Sequence, residues 1–299
     1  MSFKLLAYGE VLWDIIDDRE YIGGAPFNVA AHAVRLGCTG AVVTRVGADE
    51  RGIRAIETIE SFGVDTSFVQ TDIEHPTGTA CVALDAEGVP AFTLPLNVAY
   101  DFIKLYDDDL EKIERAGFDA LCFGTLVQRS RSSADSLYRL LKSVRFKLIF
   151  YDVNIRLGFL PKEIIRESLQ HSTIVKLNGD EARLLSDLLF GKAYDEEAFM
   201  QRIADEFWID VVIITKGGDG CVVFDGKRAE RCPQSPVAVA DTVGAGDAFS
   251  AAFLTAYAKG ADPFESARLG NILGGYVASK SGAVPEYTDE LKEKLGILR

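Results

Sequence analysis

The sequence predicts an α/β fold in which a mainly parallel central sheet carries helices on both faces. Two observations predict it. Short β-type runs alternate with helical patterns for most of the 299-residue chain. Several of these runs, notably Leu148–Val153 and Val211–Thr215, are apolar on both alternating faces, as strands must be when helices cover them on either side.

In chain order, the candidate strands are 4–8, 41–46, 119–123, 147–153, 173–177, 210–215 and 220–224. The first reads as a strand and not as a signal peptide, because an acid follows at Glu10 and no long apolar run precedes a cleavage site. Helical patterns fall near 27–36, 51–62, 132–145, 179–190, 195–207, 246–259 and 263–281. Gly260 stops one of them. The next opens with Asp262 as N-cap, Pro263 in the first turn and Glu265 three residues on, a capping box. Two stretches, 10–22 and roughly 67–100, break the pattern. They carry β-type alternation and the turn residues His75-Pro76-Thr77-Gly78 and Glu87-Gly88-Val89-Pro90, with no helix. From the residues alone they are either an antiparallel extension of the main sheet or a small sheet of their own.

The chain is long enough for one large domain or two modest ones. It is 48% apolar and 26% charged, with a mean hydropathy of +0.09, ordinary values for a globular protein. A net charge of −13 repels nucleic acid and anionic membranes. It repels ATP as well, so a nucleotide site here needs a locally positive lining or a bridging cation, Mg²⁺ first among them. No apolar run approaches the roughly 20 residues of a membrane span. Cys38, Cys81, Cys122, Cys221 and Cys232 never form Cys-x-x-Cys, which predicts reduced thiols and a cytoplasmic address. His32, His75 and His171 are not at ligand spacing, so no zinc site is expected.

Residues 241–249 read Asp-Thr-Val-Gly-Ala-Gly-Asp-Ala-Phe and run into the small-residue stretch Ser250-Ala251-Ala252-Phe253-Leu254. Gly244, Ala245 and Gly246 offer a bare backbone where a helix begins. Unpaired N–H groups and the positive end of the helix dipole point at whatever lies there, and phosphate is the commonest guest. Asp247 would repel that guest in a pure phosphate loop. A phosphotransferase needs such a group, to take the proton of an attacking hydroxyl. The same run also reads as a tight turn followed by an acid in a first helical turn, and four residues do not separate the two. No Gly-x-x-x-x-Gly-Lys-Ser/Thr occurs, and position 249 is Phe where a dinucleotide fingerprint has its third glycine.

The nine-residue run resembles the C-terminal signature of the ribokinase-like (PfkB) family of sugar and nucleoside kinases. Gly23-Gly24-Ala25-Pro26-Phe27-Asn28-Val29-Ala30 resembles its N-terminal signature. Asp152-Val-Asn154-Ile-Arg156, Asn178-Gly-Asp-Glu181, Thr215-Lys216-Gly217-Gly218-Asp219-Gly220 and Asn271 match further positions, so the likeness covers nearly the whole chain. It implies an ATP-dependent carbohydrate kinase that uses Mg²⁺ and, as in many relatives, K⁺. It also implies a main α/β domain of 1–9, 23–66 and 101–299, interrupted by a β-sheet lid of 10–22 and 67–100. Such lids often pair subunits, so a homodimer through the lid is expected.

The resemblance assigns roles. Asp247 is the expected base, and the amides of Gly244, Ala245, Gly246 and Asp247 the expected anion hole. The helix N-terminus is expected to favour the ionised carboxylate. Asp14, Gly23, Gly24 and Asn28 match sugar-binding positions, as do Asp152, Asn154 and Arg156 after a central strand. Glu181 is expected to organise Mg²⁺ through water, with Asn178 beside it. Read alone, Asn178-x-x-Glu181 is a capping box, and both readings hold at once. Thr215, Lys216, Gly217, Gly218 and Gly220 follow an apolar strand, where open α/β sheets bind ligands, and are matched to the nucleotide with Asn271. The alternative is a plain turn, with Lys216 as solvated surface. Carbonyls of Asp241, Val243 and the Ser281-Gly282-Ala283 loop would hold K⁺. Asn97-Val-Ala-Tyr-Asp101 and Gly124-Thr-Leu-Val-Gln128-Arg129 resemble fructokinase-like members, which makes fructose the first expected substrate. Against it, Phe92-Thr93-Leu94-Pro95-Leu96-Asn97 lacks the lid arginine of many bacterial fructokinases. Ribose, a nucleoside or 2-keto-3-deoxygluconate are the alternatives within the class, and a non-catalytic sugar or nucleotide sensor the alternative outside it.

Overall fold

A computed structural model describes residues 3–16, 19–84, 90–156, 159 and 161–297. The chain opens with strands β1 (Lys4–Tyr8), β2 (Leu12–Ile16) and β3 (Arg19–Gly23), helix α1 (Ala25–Arg35), β4 (Thr39–Gly47) and α2 (Glu50–Ser61). Strands β5 (Val69–Asp72), β6 (Gly78–Leu84) and β7 (Pro90–Thr93) follow. Then come α3 (Asp107–Ala116), β8 (Ala120–Gly124), α4 (Arg131–Ser143), β9 (Leu148–Asp152), α5 (Lys162–Gln170), β10 (Ile174–Asn178), α6 (Gly179–Phe190) and α7 (Glu196–Phe207). The last third holds β11 (Val211–Thr215), β12 (Cys221–Phe224), β13 (Ala229–Cys232), α8 (Ala245–Ala258), α9 (Pro263–Ala278) and α10 (Asp289–Lys294).

Nine strands form the main sheet in the order β13-β12-β11-β10-β9-β8-β1-β4-β5, parallel from β5 to β11 and antiparallel at β12 and β13. Alternate residues of each strand feed opposite cores. Leu6, Tyr8, Phe123, Tyr151 and Val175 face the helices α3 to α7, whereas Leu5, Cys122, Phe150 and Ile174 face α8 and α9. This two-sided burial is what the uniformly apolar strands require. Helix α8 is apolar around most of its circumference, as a helix enclosed by α1, α9 and the sheet must be.

A second sheet, β3-β2-β6-β7, stands apart from the first. It is the expected lid sheet, with one correction. Val69–Asp72, placed in the lid by the sequence, pairs in parallel with β4 as the edge of the main sheet. Its Asp72 is buried and ion-paired to Arg45 of β4 at 2.7 Å, which fixes it there. The expected turn at Glu87–Val89 lies outside the described residues. Where the lid strands return to the main domain, Arg129 clasps Asp101 through two hydrogen bonds of 2.8 and 3.0 Å and also donates to the carbonyls of Leu94 and Pro95.

Three helices escaped the sequence reading: α3, α5 and α10. Each has a narrow apolar stripe, α3 burying only Leu110 and Ile113. Helix α9 ends at Ala278, three residues before its expected end at 281, and its cap is one-sided. Asp262 accepts the N–H groups of Phe264 and Glu265, but Glu265 turns away to Arg268 instead of returning the bond.

The strand order reverses between β1 and β8. The chain leaves β1 towards β4 on one side and comes back to β8 on the other, opening a crevice at the carboxyl ends of the strands. Residues expected in the site follow the carboxyl ends of β1, β9, β10 and β11, so the topology alone gathers them at one edge.

Candidate active site

Helix α8 is capped by Gly244, whose φ of 77° is left-handed, and the Ala245 N–H turns back onto the Thr242 carbonyl at 3.3 Å. The turn is pressed against Ala283: a Cβ at position 244 would lie within 2.6–2.7 Å of that residue. Ala240 and Asp241 donate their N–H groups to the Ala278 carbonyl, which pins the segment to the end of α9. The carbonyl-bearing stretches 241–243 and 281–283 are thereby brought side by side, with the Ala283 carbonyl also meeting His32 Nε2 at 2.9 Å.

Asp247 lies in the first turn of α8, partly open to the cleft. Its Oδ2 accepts a 2.8 Å hydrogen bond from Asn28 Nδ2 across 219 residues of sequence. The two signatures therefore meet in one contact. Burial pushes the Asp247 carboxyl up to about 6, the Asn28 bond opposes this, and Asp152 adds to it. The expected direction is corrected: desolvation outweighs the helix dipole. The group still ionises at neutral pH.

Below the turn lie residues the sequence reading did not single out. Lys176, buried in β10, donates to Asp152 Oδ2 at 2.6 Å. Ser250, buried in α8, donates to the same oxygen at 3.2 Å and to the Gly246 carbonyl at 2.9 Å. Asp152, expected to meet sugar, gives this oxygen to the interior. A lone lysine among Ile174, Val175 and Leu177 was the available signal, since a fully buried lysine demands a partner.

The sugar-side residues converge from β2, β3 and α1. Asp14 stands over Gly23, where any Cβ would fall on its carboxylate. Gly24 adopts φ 116°, and a side chain there would strike the Glu10 carbonyl. Burial pushes Asp14 up to about 6, with Arg156 opposing and Asp241 adding. Glu10, also unforeseen, is pushed up to about 7 by burial, and its Oε2 has no hydrogen-bond partner. Arg156 is exposed and acts on Glu10, Asp14 and Asp247 together, so these three acids share its neighbourhood. Its loop is held from below: Ile155 N donates to Glu181 Oε1 at 2.8 Å. Asn154 takes a left-handed φ of 37°, which asparagine tolerates.

Asn178 and Glu181 form the reciprocal capping box of α6, with Asn178 N donating to Glu181 Oε2 at 2.8 Å. Burial pushes the Glu181 carboxyl up, against the bond from Asn178. Among the described residues no group of three or more His, Cys, Asp or Glu side chains is placed to hold a metal alone.

Thr215, Lys216, Gly217, Gly218 and Gly220 form a separate end of the cleft. Gly217 and Gly218 are exposed in a short turn closed by Lys216 N donating to the Gly220 carbonyl at 2.7 Å. The Lys216 ammonium pairs with Glu196 at 2.7 Å. Asn271 is buried and donates to the carbonyls of Cys232 and Pro233, holding the segment on which Gly220 rests. The four cysteines with described side chains, Cys38, Cys122, Cys221 and Cys232, are free and buried.

A doubly covered parallel sheet, a glycine-capped helix start beside a carboxylate, and a small separate sheet suit a kinase for small-molecule alcohols. Comparison with known proteins makes this specific. The family model described as pfkB family carbohydrate kinase matches residues 3–289. The chain belongs to that family. It is 30% identical over 267 residues to a fructokinase of Escherichia coli, covering 85% of this chain and 84% of that one. Its fold matches a sugar kinase of Pyrococcus horikoshii solved in complex with ATP, 27% identical, with a TM-score of 0.81 over 97% of both chains. A fructokinase of Xylella fastidiosa, 22% identical, superposes with a TM-score of 0.85 over 100% of this chain and 98% of that one. The protein is an ATP-dependent carbohydrate kinase of ribokinase-like fold. No helix among the described residues is long and apolar enough to cross a membrane.

Proposed function

We propose that the protein phosphorylates a primary hydroxyl of fructose with ATP, and that Asp247 is the base. The observation that carries the catalytic part is the Asn28–Asp247 hydrogen bond, which sets a carboxylate of near-neutral pKa between the glycine-bearing signature and the first turn of α8. The hydroxyl is delivered from the side of Asp14, Gly23, Gly24 and Arg156. Asp247 takes its proton as the oxygen attacks the γ-phosphoryl group, and the 244–247 amides meet the charge on that group, each donor worth about 3 kcal/mol. The acid-rich lining suits an uncharged polyol, and Arg156 is the exposed cation within reach of it. The lid sheet covers the acceptor and excludes water. Fructose is favoured by the 30% identity to a protein named fructokinase.

Mg²⁺ fits as an ion bridging phosphates through water, since it keeps most of its waters and needs only one or two carboxylates. Glu181 would hold it, its oxygens retaining lone pairs beyond the two backbone bonds. The ion supplies charge neutralisation of the phosphates. Backbone oxygens of Asp241 and Val243, beside the 281–283 loop, are the proposed K⁺ ligands. Thr215, Gly217, Gly218 and Gly220 border the nucleotide, with Asn271 acting through the backbone it holds.

Two measurements test this reading. In a coupled ADP assay across ketohexoses, aldoses, nucleosides and sugar acids, fructose is expected to give the highest kcat/KM. Turnover of another sugar with none of fructose removes the substrate assignment and keeps the class. Asp247→Asn is expected to lower kcat by about 10²–10⁴ with sugar affinity largely kept. Unchanged turnover in that variant removes the base.

A further inference from the structure

Lys176 is a buried cation that neither signature contains, and it sits at the centre of the charges described above. It is the register partner of Asp152 across β9 and β10, and their side chains meet at 2.6 Å. Its Nζ lies 3.6 Å from where a Cβ on Gly246 would stand, directly under the amides expected to receive the phosphoryl group. Three carboxylates, Asp152, Glu181 and Asp247, act on it from β9, α6 and α8. Burial works against the ammonium, but the adjacent Asp152 more than offsets this and its pKa rises, so it is charged throughout the neutral range.

We propose that Lys176 is a positioning residue for the transfer: clamped to Asp152 beneath the start of α8, it balances the gathered carboxylates and keeps Asp247 able to accept a proton. This rests on the reading of Asp247 as base. The groups facing Asp247 are few. Asn28 reaches it from α1, Asp152 from β9, Arg156 from the following loop, Lys176 from β10 and Glu10 from the segment after β1. Glu181 of α6 acts on Lys176. Of the two cations, Arg156 is exposed and screened by water; Lys176 is enclosed and lowers the Asp247 carboxyl more than Arg156 does. With Lys176 neutral, neighbouring carboxylates compete to stay protonated, and Asp247 loses its ionised form at higher pH than before.

The experiment is the pH dependence of kcat/KM. In the wild type the acid limb is expected near pH 6. Lys176→Met is expected to move it up by about one unit, a roughly three-fold deficit at pH 6.5 that approaches ten-fold near pH 5 and largely closes by pH 8.5. Asp152→Asn removes the opposing charge and is expected to move it down, and Lys176→Arg to return it towards the wild type. A loss through packing alone would lower the rate by the same factor at every pH, and that result overturns the proposal. Should Lys176→Met fail to fold, Asp152→Asn carries the test: an unmoved limb in that folded variant overturns it equally. Titration of ¹³C-aspartate resonances, with Asp247 assigned by its loss in Asp247→Asn, reads the same shifts without turnover. A wild type that phosphorylates no sugar therefore sinks the functional reading, while an Asp247 resonance indifferent to Lys176 and Asp152 sinks this one.

Discussion

The two ends of the cleft are made of different material. At the proposed hydroxyl end, side chains from α1, β9, β10 and α8 interlock over sequence separations as long as 219 residues. At the proposed nucleotide end stand a glycine turn after β11 and the segment 233–243, mostly exposed, with Val237, Val239 and Val243 open to solvent. Chemistry on a bond needs fixed groups at fixed distances, and the hydroxyl end supplies them. Holding a large, charged donor needs access and amides, which glycine and loop backbone supply.

This contrast can be tested in order of effect. The largest difference is the loss of turnover in Asp247→Asn, and it has a partner of opposite sign. A carboxyl raised from 3.8 to about 6 binds more protons folded than unfolded, so its contribution to stability falls as pH rises from about 4 to 6. Asp247→Asn should therefore raise the melting temperature at pH 8 and leave it unchanged near pH 3.5. After allowance for partial exposure the gain is at most about 2 kcal/mol. A melting temperature that drops equally at both pH values would show that this carboxylate carries no functional strain.

Next in size is Asn28→Ala. It removes the donor to Asp247, and a hydrogen bond to a charged group is worth about 1.5–3 kcal/mol. Turnover should fall roughly 10- to 100-fold, with the acid limb moved upward. Gly244→Ala comes third. The left-handed φ and the contact with Ala283 together should cost about 1–3 kcal/mol, read as a lowered denaturation midpoint. Lys216→Ala is the smallest. Its partner Glu196 is partly exposed, so stability should change by less than about 1 kcal/mol and the KM for ATP by a few-fold at most. A hundred-fold rise in that KM would mean that the nucleotide end depends on side chains after all.

How legible each end was follows from the same contrast. The Gly244–Asp247 turn and the Asn178–Glu181 cap were visible because each is a local pattern with a local cause, whereas Asn28 was placed by its resemblance to a family signature. The seven expected strands and the seven expected helices all exist, since their apolar periodicity is strong. Lys176 was read only as part of a strand, because its partner Asp152 is found by the register of β9 on β10, which no local pattern reveals. Ser250 was hidden in a stretch of small residues for the same reason. Glu10 was read only as an acid after the first strand. The direction of the Asp247 shift was misjudged because helix charge is visible in a sequence and enclosure is not. Val-Gln-Thr-Asp at 69–72 was too short and polar to declare which sheet it joins.

The reversal of strand order between β1 and β8 has an evolutionary consequence. The site residues ride on several different strands, loops and helices, so one segment can be exchanged while the others stand still. On the proposed reading, acceptor choice lies in residues 10–24 and 94–101, and donor handling in 215–220 and 233–243. Grafting the first pair of segments from a relative of another sugar preference should carry that preference across, because the proposed proton-transfer apparatus is anchored elsewhere, on α1, β9, β10 and α8.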